Sequence, residues 1–427
     1  MEVPDVVSSS PSSFSSLATA WGLLRCILSS CSSGEPRRAP PPPEAKMWAE
    51  LRFSRFLAGD SEDGDVNNET PPDWLDTKKL ARARELHLQY WPLMNNAQVM
   101  SLFLSFAFFE NTKPLLYTGR SDTPPRARRR YLETALHVHT WALGDIWKPG
   151  DPAYRSADIV RGMHRAVGSL LDARDLSRIA HPGQLPPKVR TCGRAPAPEE
   201  GSGGGEAEEE SPVEEEEESL VEVEEDEVRP SERGGFCPGP VISQRGMAAT
   251  QWFFVGLIVL HPDKFGLGHL SDDDLESFVH LWRSIGHRLG VAERHNLCAG
   301  SLEQVRALMR LVERQYLVPQ LERPQDDWEA MSLALYDGLG EVFSMCRYSV
   351  WRYYLLHDVL EVETADAYRS LGWRDYWRYL FLRGIYRLAN QDQQIHASIR
   401  STAKEEFKKG AEAENFSKQL MYVFDMI

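Results

Sequence analysis

The sequence predicts a mainly α protein, a single large helical domain interrupted by a solvated acidic loop, and three observations carry this expectation. Apolar residues recur at three- and four-residue spacing in one segment after another, the period of a helix that buries one face. Strand-period alternation is rare along the chain. Helix-start chemistry stands where such a period begins: Ser271 is followed by Asp272, Asp273 and Asp274, a cap ahead of acids that suit the helix dipole.

Residues 1–70 read as a disordered tail, rich in Ser and Pro as far as 45, with some order starting near Trp48 and a polar, acidic stretch over 59–72. The helical domain is set at 71–400. It opens with Trp74, Leu75 and a helix through 86, followed by an apolar helix over 96–109. Pro124 and Pro125 mark the start of the next helix, whose inward stripe is Tyr131, Thr134, His137 or Val138, and Trp141. A further helix over 154–171 contains Arg161 and His164 one turn apart on one face. Residues 191–235, with their Pro, Gly and long Glu runs, form a disordered acidic insertion within this domain.

A helix restarts after Ser243. Its apolar run over 247–260 has 14 residues, short of the roughly 20 a bilayer span needs, so it is expected to be a buried core helix. Leu275, Phe278, Trp282, Ile285 and Leu289 then make the clearest amphipathic stripe of the chain. Segments 302–316, 328–351 and 373–388 continue in the same manner, and 401–427 is a more polar C-terminal helix.

Charge is unevenly placed. Residues 199–232 hold 17 acidic side chains and one Arg, a net −16 against −15 for the whole chain, so the remainder is near neutral at +1. Nothing in that remainder is basic enough to predict nucleic-acid binding. The six cysteines form no CxxC pair and no dense framework, so neither a zinc module nor a disulfide scaffold is indicated; Cys192 and Cys237, flanking the acidic segment, read as free thiols in a reducing compartment, with pairing in an oxidising one as the alternative. No secretory leader is recognisable. The expected setting is intracellular, cytoplasmic or peripheral to the endoplasmic reticulum membrane.

Motifs of the serine hydrolases, P-loop proteins, zinc proteases and dinucleotide-binding folds are missing. What remains is an imidazole on a helix of small and apolar residues. His164 can ligate a metal or haem iron, or it can be a core histidine satisfied by a carbonyl. Arg161 can hold an anionic ligand or pair with Asp158. Arg130 belongs to a basic helix start, and the Thr134 hydroxyl either meets a ligand or bonds back to its own helix. His280 and His287, seven apart on one face, are expected to be a stacked core or interface pair, with His287 lining a pocket as the alternative.

Four blocks stand in order: Arg130-x-x-x-Thr134; Val160-Arg161-Gly-Met-His164-Arg-Ala-Val167; Ser243-Gln-x-x-Met247-x-x-Thr250-Gln251; and Phe278-Val-His-Leu-Trp282-Arg283-Ser-Ile-Gly286-His-Arg-Leu-Gly290. Together they resemble the catalytic domain shared by latex-clearing rubber oxygenases and mpaB-type oxygenases bound to the endoplasmic reticulum, over about residues 95–300. The resemblance implies a globin-like all-α core binding haem b, with the iron held by His164. It places the oxygen-handling arginine and threonine on Arg130 and Thr134. Arg161, Thr250 and Trp282 become candidates for cofactor contact. Glu133 stands where some rubber oxygenases carry a lysine that caps the iron, and so joins the candidate catalytic residues. Dioxygen and a small lipophilic, isoprenoid or lipid-like substrate are the implied partners, the latter against Phe103, Phe106, Phe108, Phe253, Phe254 and Trp282. The alternative is a helical binding or scaffold protein that keeps the fold without turnover. The acidic loop is a candidate for a basic partner, and the surface for a peripheral membrane contact.

Overall fold

The long central helix α2 (Thr77–Ser105) organises the molecule, a computed structural model that describes residues 40–66, 68–170, 240–322, 327–362 and 365–427. Asp76 caps its start by accepting hydrogen bonds from the backbone N–H groups of Lys78 and Lys79. The sequence pattern predicts one helix ending at 86 and another beginning at 96, but α2 runs unbroken through Pro92. Proline removes one backbone bond and crowds the preceding turn; burial of Trp91, Leu93, Met94 and Ala97 around it outweighs that local cost.

Before it, α1 (Pro43–Ala58) begins on a proline at the first helical position and buries Ala45, Ala49, Arg52 and Phe56. This corrects the expectation of a tail through residue 70. The helix is held from outside: Arg52 donates to the carbonyls of Glu293 and Asn296 at 2.8 and 2.7 Å, partners more than 200 residues away that no local pattern announces. After α2 come α3 (Phe109–Tyr117), α4 (Pro124–Leu143), α5 (Pro152–Leu170), α6 (Gln244–Leu260) and α7 (Asp272–Arg288). Ser271 and Asp274 form the expected capping box of α7, and Leu275, Phe278, Trp282 and Ile285 are buried along it.

The chain continues through α8 (Leu302–Leu311), extended by a π-helical stretch at Val312–Leu317, then α9 (Trp328–Gly340), α10 (Tyr348–Tyr354), α11 (Ala365–Arg369), α12 (Trp373–Gln391), α13 (Gln394–Ala413) and α14 (Lys418–Met421). The single helix expected over 328–351 is thus two, and the domain boundary expected at 400 falls inside α13. Phe407, Ala411, Val423 and Phe424 join the same core as α2, so 401–427 is no separate element. Helix α2 packs against α4, α6, α7 and α13; α1 and α6 pack on α8, and α9 lies along α4.

Among the described residues the regular structure is helical, apart from one isolated bridge between Asp63 and Ser243, and these residues make one large helical domain. No described helix is long and apolar enough to cross a membrane. The acidic insertion, Cys192, Cys237 and the Ser/Pro-rich start of the chain lie outside the described residues.

Two glutamines of α6 tie this core together. The Gln244 side chain donates to the carbonyls of Asp63 and Gly290 and accepts from the N–H of Ala292. Gln251 donates to the Trp282 carbonyl and to Asn296 Oδ1 and accepts from the N–H of Leu297. Both side chains are buried with donor and acceptor atoms satisfied, as a low-dielectric interior requires. Gly286 has no room for a Cβ, which would stand 2.5 Å from Gln251 Nε2.

Candidate functional site

Helices α4 and α5 pack against each other. His137 Nδ1 and Ser156 Oγ meet across them at 2.7 Å, and two turns away Arg130 faces His164 closely enough to act on its charge. Falling numbers on α4 thus meet rising numbers on α5, so the two helices run antiparallel. His164 is half-buried, and its Nδ1 is buried without a hydrogen-bond partner among the described residues. Burial pushes its pKa down to about 4; the nearby Arg130 charge acts in the same direction and Asp65 opposes it. The imidazole is therefore neutral at pH 7, with a lone pair available at one nitrogen.

Arg130 is half-buried, and its guanidinium makes no hydrogen bond or ion pair among the described residues. Burial pulls its pKa down, Tyr131 and Glu133 raise it and Arg120 lowers it, yet a guanidinium stays charged at neutral pH. The Tyr131 hydroxyl beside it is also buried, with Ser121 close by but out of hydrogen-bonding geometry. This corner therefore gathers a neutral imidazole, an unpaired cation and a phenol.

Further along α4, a small cleft of about 50 Å³ opens between α2, α4 and α6, and neither His164 nor Arg130 lines it. It is lined by Asn95, Gln98, Val99 and Leu102 from α2, by Tyr131, Thr134, Ala135 and Val138 from α4, and by Phe253 and Phe254 from α6. Gln98 donates to the Phe254 carbonyl at 3.2 Å, and Ser101 donates to the Phe253 carbonyl at 2.5 Å. These bonds fix the two aromatic walls. Trp282 stacks on Phe254 with centroids 4.6 Å apart and so backs the cleft from behind. Phe103 packs on Trp328 and Phe108 on Tyr316, and neither lines the cleft, nor does Phe106, fully buried in the core.

Other expected site residues are engaged elsewhere. The Thr134 hydroxyl bonds back to the Arg130 carbonyl at 3.0 Å, although the side chain does line the cleft. Glu133 forms an ion pair with Arg120 at 2.5 Å. Arg161 is 3% exposed and donates to Asp65 Oδ1 at 2.6 Å and to the Val66 carbonyl at 2.7 Å. Asp158 pairs instead with Arg288. Thr250 is exposed and bonds to the Gly246 carbonyl at 2.9 Å. His280 and His287 do not stack on each other; Trp74 sits edge-on to both at 5.6 Å.

Asn95, Gln98 and Asp65 escaped the sequence reading. The first two carry a signal in retrospect, amides three residues apart inside an apolar helix. Asp65 carries none, because it belongs to the stretch assigned to the tail. A haem needs one protein ligand for its iron and a cation for its propionates or for bound oxygen. The orphaned Nδ1 of His164 and the unpaired guanidinium of Arg130 fit those two needs. Arg161, Glu133 and Thr250 do not add to them.

Compared with known protein families, curated proteins and solved structures, the chain matches none. The likeness to rubber oxygenases therefore rests on the four sequence blocks, and part of those blocks, Gln251 and Gly286 among them, is accounted for by core packing.

Proposed function

We propose that the protein binds haem b through His164 and acts with dioxygen on an apolar, isoprenoid or lipid-like substrate. One observation carries this reading: a neutral imidazole whose buried nitrogen has no partner lies within electrostatic reach of a guanidinium with no anion. A buried ring nitrogen left in that state is costly without a ligand. Haem would supply the activation of dioxygen. His164 offers its lone pair without first losing a proton at pH 7, because burial has already disfavoured the imidazolium. Arg130 sets a positive charge where negative charge would gather, and Thr134, its hydroxyl donating to the Arg130 carbonyl, lines the cleft. Phe253, Phe254 and Val138 give that small cleft the apolar lining such a substrate would meet once the cleft widened. The reading places the protein inside the cell, in the cytoplasm or at the endoplasmic reticulum surface.

Expression with haem supply and purification tests it by absorbance. The expected result is a Soret band in the parent protein, lost in His164→Ala and kept in His137→Ala, whose ring is held by Ser156. A parent protein without a Soret band overturns the proposal, and His164→Ala with full haem content overturns the ligand assignment.

A second reading, a helical binding protein without turnover, is favoured by the closed Glu133–Arg120 pair and the back-bonded Thr134. Haem binding without substrate-dependent oxygen uptake would select it.

A further inference from the structure

Helix α12 turns an aromatic face to solvent. Trp373, Trp377 and Phe381 follow one another at four-residue steps and are 72%, 57% and 37% exposed, with Tyr376 beside them at 39%. At about 100° per residue these side chains cover an arc of roughly 140°. The opposite face, Tyr379, Leu382, Tyr386 and Ala389, is buried in the core.

Arginines border the stripe on both sides: Arg374 and Arg378 along one edge, Arg383 and Arg387 along the other. The helix has one acid, Asp375, which is taken up by Ser349 and Arg378. Arg383 is shared with Asp358. Arg374 lies over the Trp373 ring, and neither it nor Arg387 has an acidic partner among the described residues. Large exposed aromatics in a row are unusual on a surface that meets only water. A tryptophan-rich stripe between arginines is the chemistry of a helix lying in the headgroup layer, rings among acyl chains and cations at the phosphates.

We propose that this face of α12 docks on an anionic lipid surface. Rings of Trp373, Trp377 and Phe381 enter the interface, while Arg374 and Arg387 meet negatively charged headgroups. The chain as a whole carries −15, which opposes any general attraction to such a surface. Binding must then come from this local patch, within a screening length of about 8 Å at physiological salt. The proposal is independent of haem.

The test is co-sedimentation of the full-length protein with phosphatidylcholine vesicles with and without phosphatidylserine. Binding is expected only with phosphatidylserine and should weaken as salt rises. The double variant Trp373→Ser, Trp377→Ser should bind roughly tenfold more weakly, and Arg374→Gln or Arg387→Gln about fivefold each. Because these side chains are exposed, thermal unfolding should remain unchanged. Several results would overturn the assignment: no binding to either vesicle, equal binding to both, or a double tryptophan variant that binds like the parent. A concentration-dependent dimer in sedimentation velocity that the same double variant abolishes would give the stripe to a second copy and overturn it too.

Discussion

Arg161 and Arg130 belong to facing helices, and their surroundings assign them opposite tasks. Arg161 is buried with an aspartate and a carbonyl as acceptors, whereas Arg130 has none among the described residues. Sequence pattern makes the two look alike, since each shares a helix face with a candidate site residue. The difference lies in Asp65, which is 96 positions from Arg161 and whose approach depends on the whole fold. Burial pushes the Asp65 carboxyl up, but Arg165 and Arg161 outweigh it and hold the group below the usual carboxylate range. Removing Arg161 leaves a half-buried carboxylate with only the more exposed Arg165. Arg161→Met should therefore destabilise the protein by about 3 kcal/mol, the lower end for breaking a buried pair. Urea unfolding of the haem-free protein checks this. An unchanged midpoint there, with reduced haem affinity, would instead make Arg161 a cofactor contact.

At the scale of elements, the site depends on where α4 lies, and α9 sets that from behind. Gly338 of α9 meets α4 so closely that a Cβ would stand 2.2 Å from the Pro124 carbonyl oxygen. Backbone cannot yield as a flexible side chain does. Gly338→Ala should push the two helices apart and cost about 1–3 kcal/mol, as overpacking generally does. The shift should also reach the cleft wall that Tyr131, Thr134 and Val138 provide; thermal unfolding reads the first effect and loss of the Soret band per protein the second. Helix existence was legible wherever a stripe and a cap coincide, as in α7. It was not legible in α1, whose holding contacts come from the loop after α7, nor across Pro92, where tertiary burial overrides a local breaker. The facing of Arg130 and His164 follows from the antiparallel run of α4 and α5. The sequence offered both residues but not the fact that each lacks another partner.

The whole molecule carries its buried histidines in the neutral form, and this makes its stability depend on pH in a defined direction. His87 Nε2 and His139 Nδ1 meet at 2.7 Å in the core. Burial lowers both, His87 to about 4 from an ordinary 6.5. His280 is also pushed to about 4, by burial first and Arg283 second, and its Nε2 accepts from the Asp76 N–H at 2.9 Å, which requires a neutral acceptor. Between pH 6.5 and about 4 the unfolded chain binds protons that the folded chain refuses, so stability is full above 6.5 and falls as pH drops through that window. For His87 alone the difference amounts to roughly 3 kcal/mol. Carboxylates held low by partners, Asp65 and Asp274 among them, add their own loss only below the usual carboxylate range. The decline therefore begins earlier than acid denaturation driven by ion pairs would. Urea midpoints should drop between about pH 7 and about pH 5, and His87→Phe should flatten part of that slope. Equal midpoints at the two values would mean that the histidines are protonated within the fold, against the short His87–His139 contact, which needs at least one ring nitrogen without a proton.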